Sequence, residues 1–267
     1  MAGDPTLSVL SWNLWWRFGP WEERLAAITE TVGRLDPDLA GLQEVWVADG
    51  TSSAHRIADT LGYHVAVEHR LVLDGVGFGN AVLSRWPITR AESAPLSADE
   101  ADRDEERLVL AVDVEAPGGP LQVFSTHLNW RHDHGAARQQ QVREVCALVA
   151  SKRPRRYPAV VCGDFNAEPD AEEIRMMTGK AAVPTPGTVF VDTWAATNST
   201  GDGCTWSNAN PFAAAAFEHD RRIDYVFAGW RRDDGRGQPL RCRVVGDEPV
   251  GGVWPSDHFG VLAELRA

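Results

Sequence analysis

Short apolar runs, many of them alternating with polar residues, recur along most of the chain, the period-two pattern of half-buried strands. They fall at 7–12 (LSVLSW), 38–43 (DLAGLQ), 63–67, 80–84, 107–114, 121–128 (LQVFSTHL), 158–163 (PAVVCG), 222–229 (RIDYVFAG), 240–245 and 259–265. Two stretches break this rhythm. Residues 21–35 place Leu25, Ile28, Val32 and Leu35 at three- and four-residue steps, and 134–152 does the same with Val142, Val145, Leu148 and Val149. Each predicts an amphipathic helix. A third helix is expected near Asp170, after Pro169. Strands outnumber helices, and both halves begin with a strand followed by a helix. That order predicts an α/β fold with two packed sheets and helices on their outer faces. No Pro/Gly/Ser tract or tandem repeat divides the chain, so residues 1–267 are expected to form a single domain. The most charged run, LSADEADRDEER at 96–107, reads as a solvated loop.

Composition narrows the function. Hydrophobic residues make up 43% of 267, enough for a large core and too many for disorder. No apolar run approaches the roughly 20 residues that cross a bilayer. The N-terminus lacks the basic and apolar regions of a secretory leader, so a cytoplasmic location is expected, with secretion of a trimmed form left open. Cys146, Cys162, Cys204 and Cys242 are far apart and are expected to be reduced. Lys plus Arg is 26 against 38 Asp plus Glu, a net charge of -12. A nonspecific nucleic-acid binder usually has a basic face. This acidic balance suits a protein that collects divalent cations. A monomer is expected.

Several of the strand-like runs lead into or out of the same kinds of polar residue. LSVLSW runs into Asn13, DLAGLQ into Glu44, LQVFST into His127, and VVCG into Asp164 and Asn166. Asp224 opens RIDYVF's strand, and Asp257 and His258 precede the last one. Each alone has an ordinary reading as a turn, a cap, a surface ion pair or a satisfied interior histidine. Together, strand ends bearing carboxylate, carboxamide and imidazole groups can converge on one pocket. Glu44, Asp164 and Asp257 offer hard oxygen donors, and no cysteine joins them. Such a set favours Mg2+, with Mn2+ as the alternative, over zinc.

The ordered set SWNL, LQEV, GNAVLSR, STHL, GDFNAEP, RIDYVF and SDHFG resembles the endonuclease/exonuclease/phosphatase (DNase I-like) superfamily, from about Leu7 to Leu265. The resemblance implies a four-layer α/β/β/α sandwich of two packed, mostly antiparallel sheets, with metal and substrate at one rim. It implies Glu44 as principal metal ligand, Asn13 beside it and Asp257 near the metal. Asp164 would hold or deprotonate the attacking water, and Asn166 would donate to a phosphate oxygen. His258 would contact the scissile phosphate, oriented by Asp224, with His127 on the other side. Phosphoester hydrolysis needs such an electrostatic clamp around an in-line nucleophile. Asp164 and His258 both stand as general base. The expected activity is Mg-dependent hydrolysis of a phosphodiester or phosphomonoester. A nuclease acting on DNA or RNA is the alternative. A non-catalytic binding protein on the same fold is the third reading, and the presence of Glu44, Asp164 and His258 argues against it. Around the rim, Trp15, Trp16, Phe18 and Trp21 read as a buried loop or a lip for substrate. Arg131, His132, His134, Arg221 and Arg222 read as phosphate contacts or as plain surface.

Overall fold

A computed structural model of the chain describes residues 6–97, 105–152 and 155–267. Most of the charged run at 96–107 therefore lies outside the described residues. In spatial order one sheet contains β12 (Pro239–Val245), β13 (Gly260–Arg266), β1 (Thr6–Asn13), β2 (Leu39–Ala48), β5 (Val76–Ser84) and β4 (His64–Leu73), with the short β3 (Thr51–Ser52) on β2. The other contains β10 (Phe190–Asp192), β11 (Asp224–Gly229), β9 (Val160–Asp164), β8 (Gly119–His127), β7 (Arg107–Ala116) and β6 (Ile88–Leu96). Each sheet holds one parallel pair, β1–β2 and β8–β9, and its other pairs are antiparallel. Parallel neighbours need a crossover. It is supplied by α1 (Trp21–Leu35) in the first sheet and α3 (Gly135–Ser151) in the second, within a residue of the expected bounds.

Helix α1 forms where the periodicity predicts. Glu22 and Glu23 in its first turn and Arg34 in its last complement the helix dipole. It ends at Asp36, in the left-handed region at φ 49, whose N–H donates to the Val32 carbonyl. Its buried face lies with α2 (Ser53–Leu61) on the outer side of the first sheet, where Ile28, Val32, Ile57 and Ala58 pack on Leu10, Trp12, Leu42 and Leu83. On the outer side of the second sheet, α3 and α4 (Glu172–Met177) pack Val142, Val145, Ile174 and Met177 on Phe124, Val161 and Phe227. A third cluster, including Leu7, Val9, Leu110, Val123, Val160 and Val261, fills the space between the sheets. These are four layers, α/β/β/α. The short α5 (Thr193–Thr197) and α6 (Pro211–Ala214) lie in the connections. No cysteine forms a disulfide. Among the described residues, no helix is long and apolar enough to cross a membrane.

The strands also point to the site. Side chains two apart share a face. In β1 the inward column reads Leu7, Val9, Ser11, Asn13, and in β8 it reads Leu121, Val123, Ser125, His127. In β9 it reads Val160, Cys162, Asp164, and in β11, read backwards, Ala228, Val226, Asp224. Each column passes from apolar to polar toward the same end of the interlayer. Below that end the sheets nearly touch, and a Cβ on Gly41 would lie 2.5 Å from the Cβ of Cys162.

Candidate active site

Strand register assembles the centre. His127 is opposite Asp164 across β8 and β9, and Asp164 is opposite Asp224 across β9 and β11. Residues in one row share a face, so these three side chains stand side by side. Glu44 departs from the expectation of a strand end. Strand β2 continues to Ala48, and a register shift between Leu42 and Val45, with Glu44 at φ 51, forms a bulge at the pocket. Bulges redirect side chains in this way. Asp257 and His258 sit on a turn before β13. Trp12 Nε1 donates to the His258 carbonyl at 3.0 Å, Ser256 Oγ to the Asn13 carbonyl at 2.7 Å, and Asn210 Nδ2 to the Ser256 carbonyl at 2.7 Å.

All eight expected residues meet at this end. Glu44, His127, Asp164, Asn166, Asp257 and His258 line a pocket of about 400 Å³. Asn13 and Asp224 are fully buried and hold that lining from behind. Asn13 Nδ2 donates to Glu44 Oε1 at 2.9 Å and to Asp164 Oδ2 at 3.0 Å, while its Oδ1 accepts from the Trp15 N–H. Asp164 Oδ1 accepts from the Asn166 N–H at 2.9 Å. His258 Nδ1 lies 2.9 Å from Asp224 Oδ2, and its Nε2 lies 3.8 Å from Asp164 Oδ2. His127 Nε2 lies 3.4 Å from the same Asp164 oxygen. Asn166 Nδ2 is 3.1 Å from His127 Nε2 and donates to the Leu128 carbonyl.

Burial and neighbours drive the titrations apart. Burial raises Glu44 to about 7, with the Asp257 charge adding to the shift. Burial, then Asp224, raises Asp164 to about 6. Asp257 is also raised by burial. Burial works against a charge on His258, yet Asp224, Asp164 and Asp257 hold its pKa well above the ordinary value. Burial, with the charges of Arg107 and His258, keeps His127 well below it.

Two groupings suit a cation. Asp164, Asp224 and His258 offer ligand atoms within 4.8 Å of one another. There, however, His258 Nδ1 and Asp224 Oδ2 are engaged with each other. Glu44, half-buried, and Asp257, buried, are carboxylates whose mutual repulsion a hard divalent ion would relieve, and their donors are oxygens.

The rim candidates divide. Trp15 and Phe18 line the pocket, whereas Trp16 Nε1 donates to the Gly77 carbonyl and Trp21 packs edge-on against Trp46. Arg221 lines the pocket beside Glu218. Arg222 instead pairs with Asp192 at 2.9 Å and lies over Tyr225, a structural role. Arg131 is 3.4 Å from Glu105, and His132 is 3.5 Å from Glu218. Three residues escaped the sequence reading. Arg107 lines the pocket with Nη1 2.9 Å from His127 Nδ1. Glu105 also lines it, and its Oε2 accepts from the Trp130 N–H. Arg24, buried in α1, donates to the carbonyls of Leu14, Trp15, Trp16, Phe18 and Pro255.

A sequence model described as the endonuclease/exonuclease/phosphatase family matches residues 10–258. The uncharacterized protein YbhP of Escherichia coli is 31% identical over 176 residues, which cover 60% of this chain and 67% of YbhP. Tyrosyl-DNA phosphodiesterase 2 of Mus musculus is 26% identical over 276 residues, covering 100% of this chain and 68% of that protein. The crystal structure of D. rerio TDP2 complexed with a single-strand DNA product superposes with a TM-score of 0.79 at 19% identity, covering 99% of this chain and 100% of that one.

Proposed function

The chain belongs to the endonuclease/exonuclease/phosphatase family, and on that premise we propose that it is a divalent-metal-dependent phosphodiesterase acting by in-line attack of water. The observation that carries this reading is Asp164, a buried carboxylate raised to about 6 with an imidazole on either side. Asp164 takes the proton of the attacking water as its oxygen bonds to phosphorus and the bond to the leaving oxygen breaks, giving a phosphomonoester and an alkoxide that becomes the alcohol by taking a proton from solvent. His258, kept cationic by Asp224, has no lone pair to offer, which supports Asp164 over His258 as the base. It donates from Nε2 to a phosphate oxygen. His127 and Asn166 hold the phosphate from the opposite side. A divalent cation held by Glu44 and Asp257, with Asn13 orienting Glu44, would neutralise charge on the phosphate and the leaving oxygen.

The pocket wall supports a diester with an apolar or aromatic substituent. Trp15, Phe18, Leu71, Leu73 and Phe78 line it. Phe18, Val72, Trp130 and Phe217, all exposed, stand on the segments that frame its mouth. With a net charge of -12, this collar suits duplex DNA poorly. Hydrolysis of single-stranded nucleic acid is the second reading, because Phe18 and Trp130 offer faces on which bases stack. The test compares bis-p-nitrophenyl phosphate with p-nitrophenyl phosphate in Mg2+, Mn2+ and EDTA, for wild type and Asp164→Ala. Diester turnover abolished by EDTA and by the substitution is expected. Absence of metal-dependent turnover on any phosphoester overturns the reading. Cleavage confined to single-stranded DNA, and lost in Asp164→Ala, would promote the second.

A further inference from the structure

We propose that Arg107 is a positioning residue that fixes His127 as the neutral tautomer protonated at Nε2, making His127 an uncharged N–H donor to the phosphate with no part in proton transfer. The assignment of the tautomer stands on geometry, and its role rests on the phosphodiesterase reading.

Arg107 Nη1 lies 2.9 Å from His127 Nδ1. A guanidinium has five N–H donors and no acceptor. At that distance Nδ1 must present its lone pair. The one proton of a neutral imidazole is then on Nε2, the nitrogen that faces Asp164 at 3.4 Å. Asn166 Nδ2, 3.1 Å from Nε2 and 3.1 Å from the Leu128 carbonyl, is a second donor on this side of the ring. Nε2 nevertheless has an acceptor within reach in the Asp164 carboxylate at 3.4 Å, whereas Nδ1 faces only the Arg107 donor, so the proton belongs on Nε2, directed at Asp164 or at a phosphate oxygen seated beside it.

Arg107 is well held for this task. It opens β7, which pairs with β8 so that Val109 faces Thr126, one residue before His127. Its guanidinium lies 5.7 Å from the ring centre of Phe78. Glu105 Oε2 is 3.6 Å from its Nη2 and is itself fixed by the Trp130 N–H. The side chain is only 7% exposed, so a second proton on His127 would set two buried donors against each other. The burial that lowers the His127 pKa, together with the Arg107 and His258 charges, acts in the same direction.

The arrangement has a chemical use. A second imidazolium beside Asp164 would make that carboxylate a weaker base. A neutral donor binds a phosphate oxygen without doing so.

Long-range proton–nitrogen NMR on the 15N-histidine protein in Mg2+, with the His127 signals assigned by their loss in His127→Gln, reads the tautomer directly. The Nε2–H form is expected in wild type, a mixture in Arg107→Met, and recovery in Arg107→Lys. Turnover of bis-p-nitrophenyl phosphate supplies the second arm. The amide nitrogen of Gln reaches the position of imidazole Nε2, so His127→Gln should stay within about tenfold of wild type while His127→Ala falls about 100-fold, the loss typical of one positioned donor. An Nδ1–H or doubly protonated His127 in wild type overturns the proposal. So does a Gln variant as inactive as the Ala variant. The wild-type spectrum needs no turnover, so a chain without phosphoesterase activity would defeat the functional reading while the tautomer is judged separately.

Discussion

His127 and His258 flank one carboxylate and answer to opposite surroundings. His127 ends β8, and its partner Arg107 opens the adjacent strand of the same sheet. His258 precedes β13 of the first sheet, while Asp224 and Asp164 belong to the second. One pair is built within a sheet, the other across the gap between sheets. The first is made between side chains at the adjoining ends of two hydrogen-bonded neighbouring strands, β7 and β8. The second depends on how closely two separate layers pack. The outcome differs in charge as well, a neutral ring in one case and a cationic ring in the other.

The largest effect is expected at His258. His258→Ala should lower kcat/KM on bis-p-nitrophenyl phosphate by about 10³- to 10⁴-fold, because it removes a charged donor. A loss no larger than that of His127→Ala would mean that the two rings do not differ in charge. Asp224→Asn keeps the imidazole and removes the carboxylate that holds its charge, so a loss of about 10²-fold is expected at neutral pH. Gly41→Ala tests the packing. A methyl meeting Cys162 should cost about 1–3 kcal/mol in urea unfolding, as overpacked cores do. It should also shift the NMR signals of His258 while leaving those of His127 in place.

Much of this centre was legible in the sequence, for a physical reason. Asn13, His127, Asp164 and Asp224 sit at strand termini, and a strand's alternation also says which residues share the inward face. Helices α1 and α3 followed from their periodicity. Other features are decided by distant neighbours. Helix α2 has a short apolar face of Ala54, Ile57 and Ala58, and its strongest signals are the Ser52 cap and the left-handed Gly62. Among the described residues strand β6 pairs only with β7, and it carries Pro95, an edge position whose sequence lacks a clean alternation. Glu44 lies inside a strand because of a bulge. Arg107 and Glu105 close a run of charges that reads as solvated surface, and it is the pairing of β7 with β8, distant in the local pattern, that brings the Arg107 side chain within reach of His127.

The smallest expected effect is on stability, and its sign separates the two rings. The folded pKa of His127 lies below the ordinary 6.5, so below that value the unfolded chain binds a proton that the folded one refuses. Stability from this site therefore falls as pH drops from 6.5 toward the depressed value. The folded pKa of His258 lies above 6.5, so its contribution is complete below 6.5 and is lost as pH rises through the raised value. Unfolding midpoints in EDTA should therefore show His127→Gln less sensitive than wild type to acid below about pH 6.5, and His258→Gln without the wild-type gain on acidification from about pH 8 to 6.5.

Arg24 gathers carbonyls from Leu14 to Phe18 and from Pro255, segments from opposite ends of the chain. One guanidinium thereby locks the aromatic wall to the turn that bears Asp257. The conformational freedom of that corner is surrendered when the protein folds rather than when a ligand arrives. An incoming phosphoester meets a rigid mould, and its binding energy is not diverted into ordering the walls that receive it.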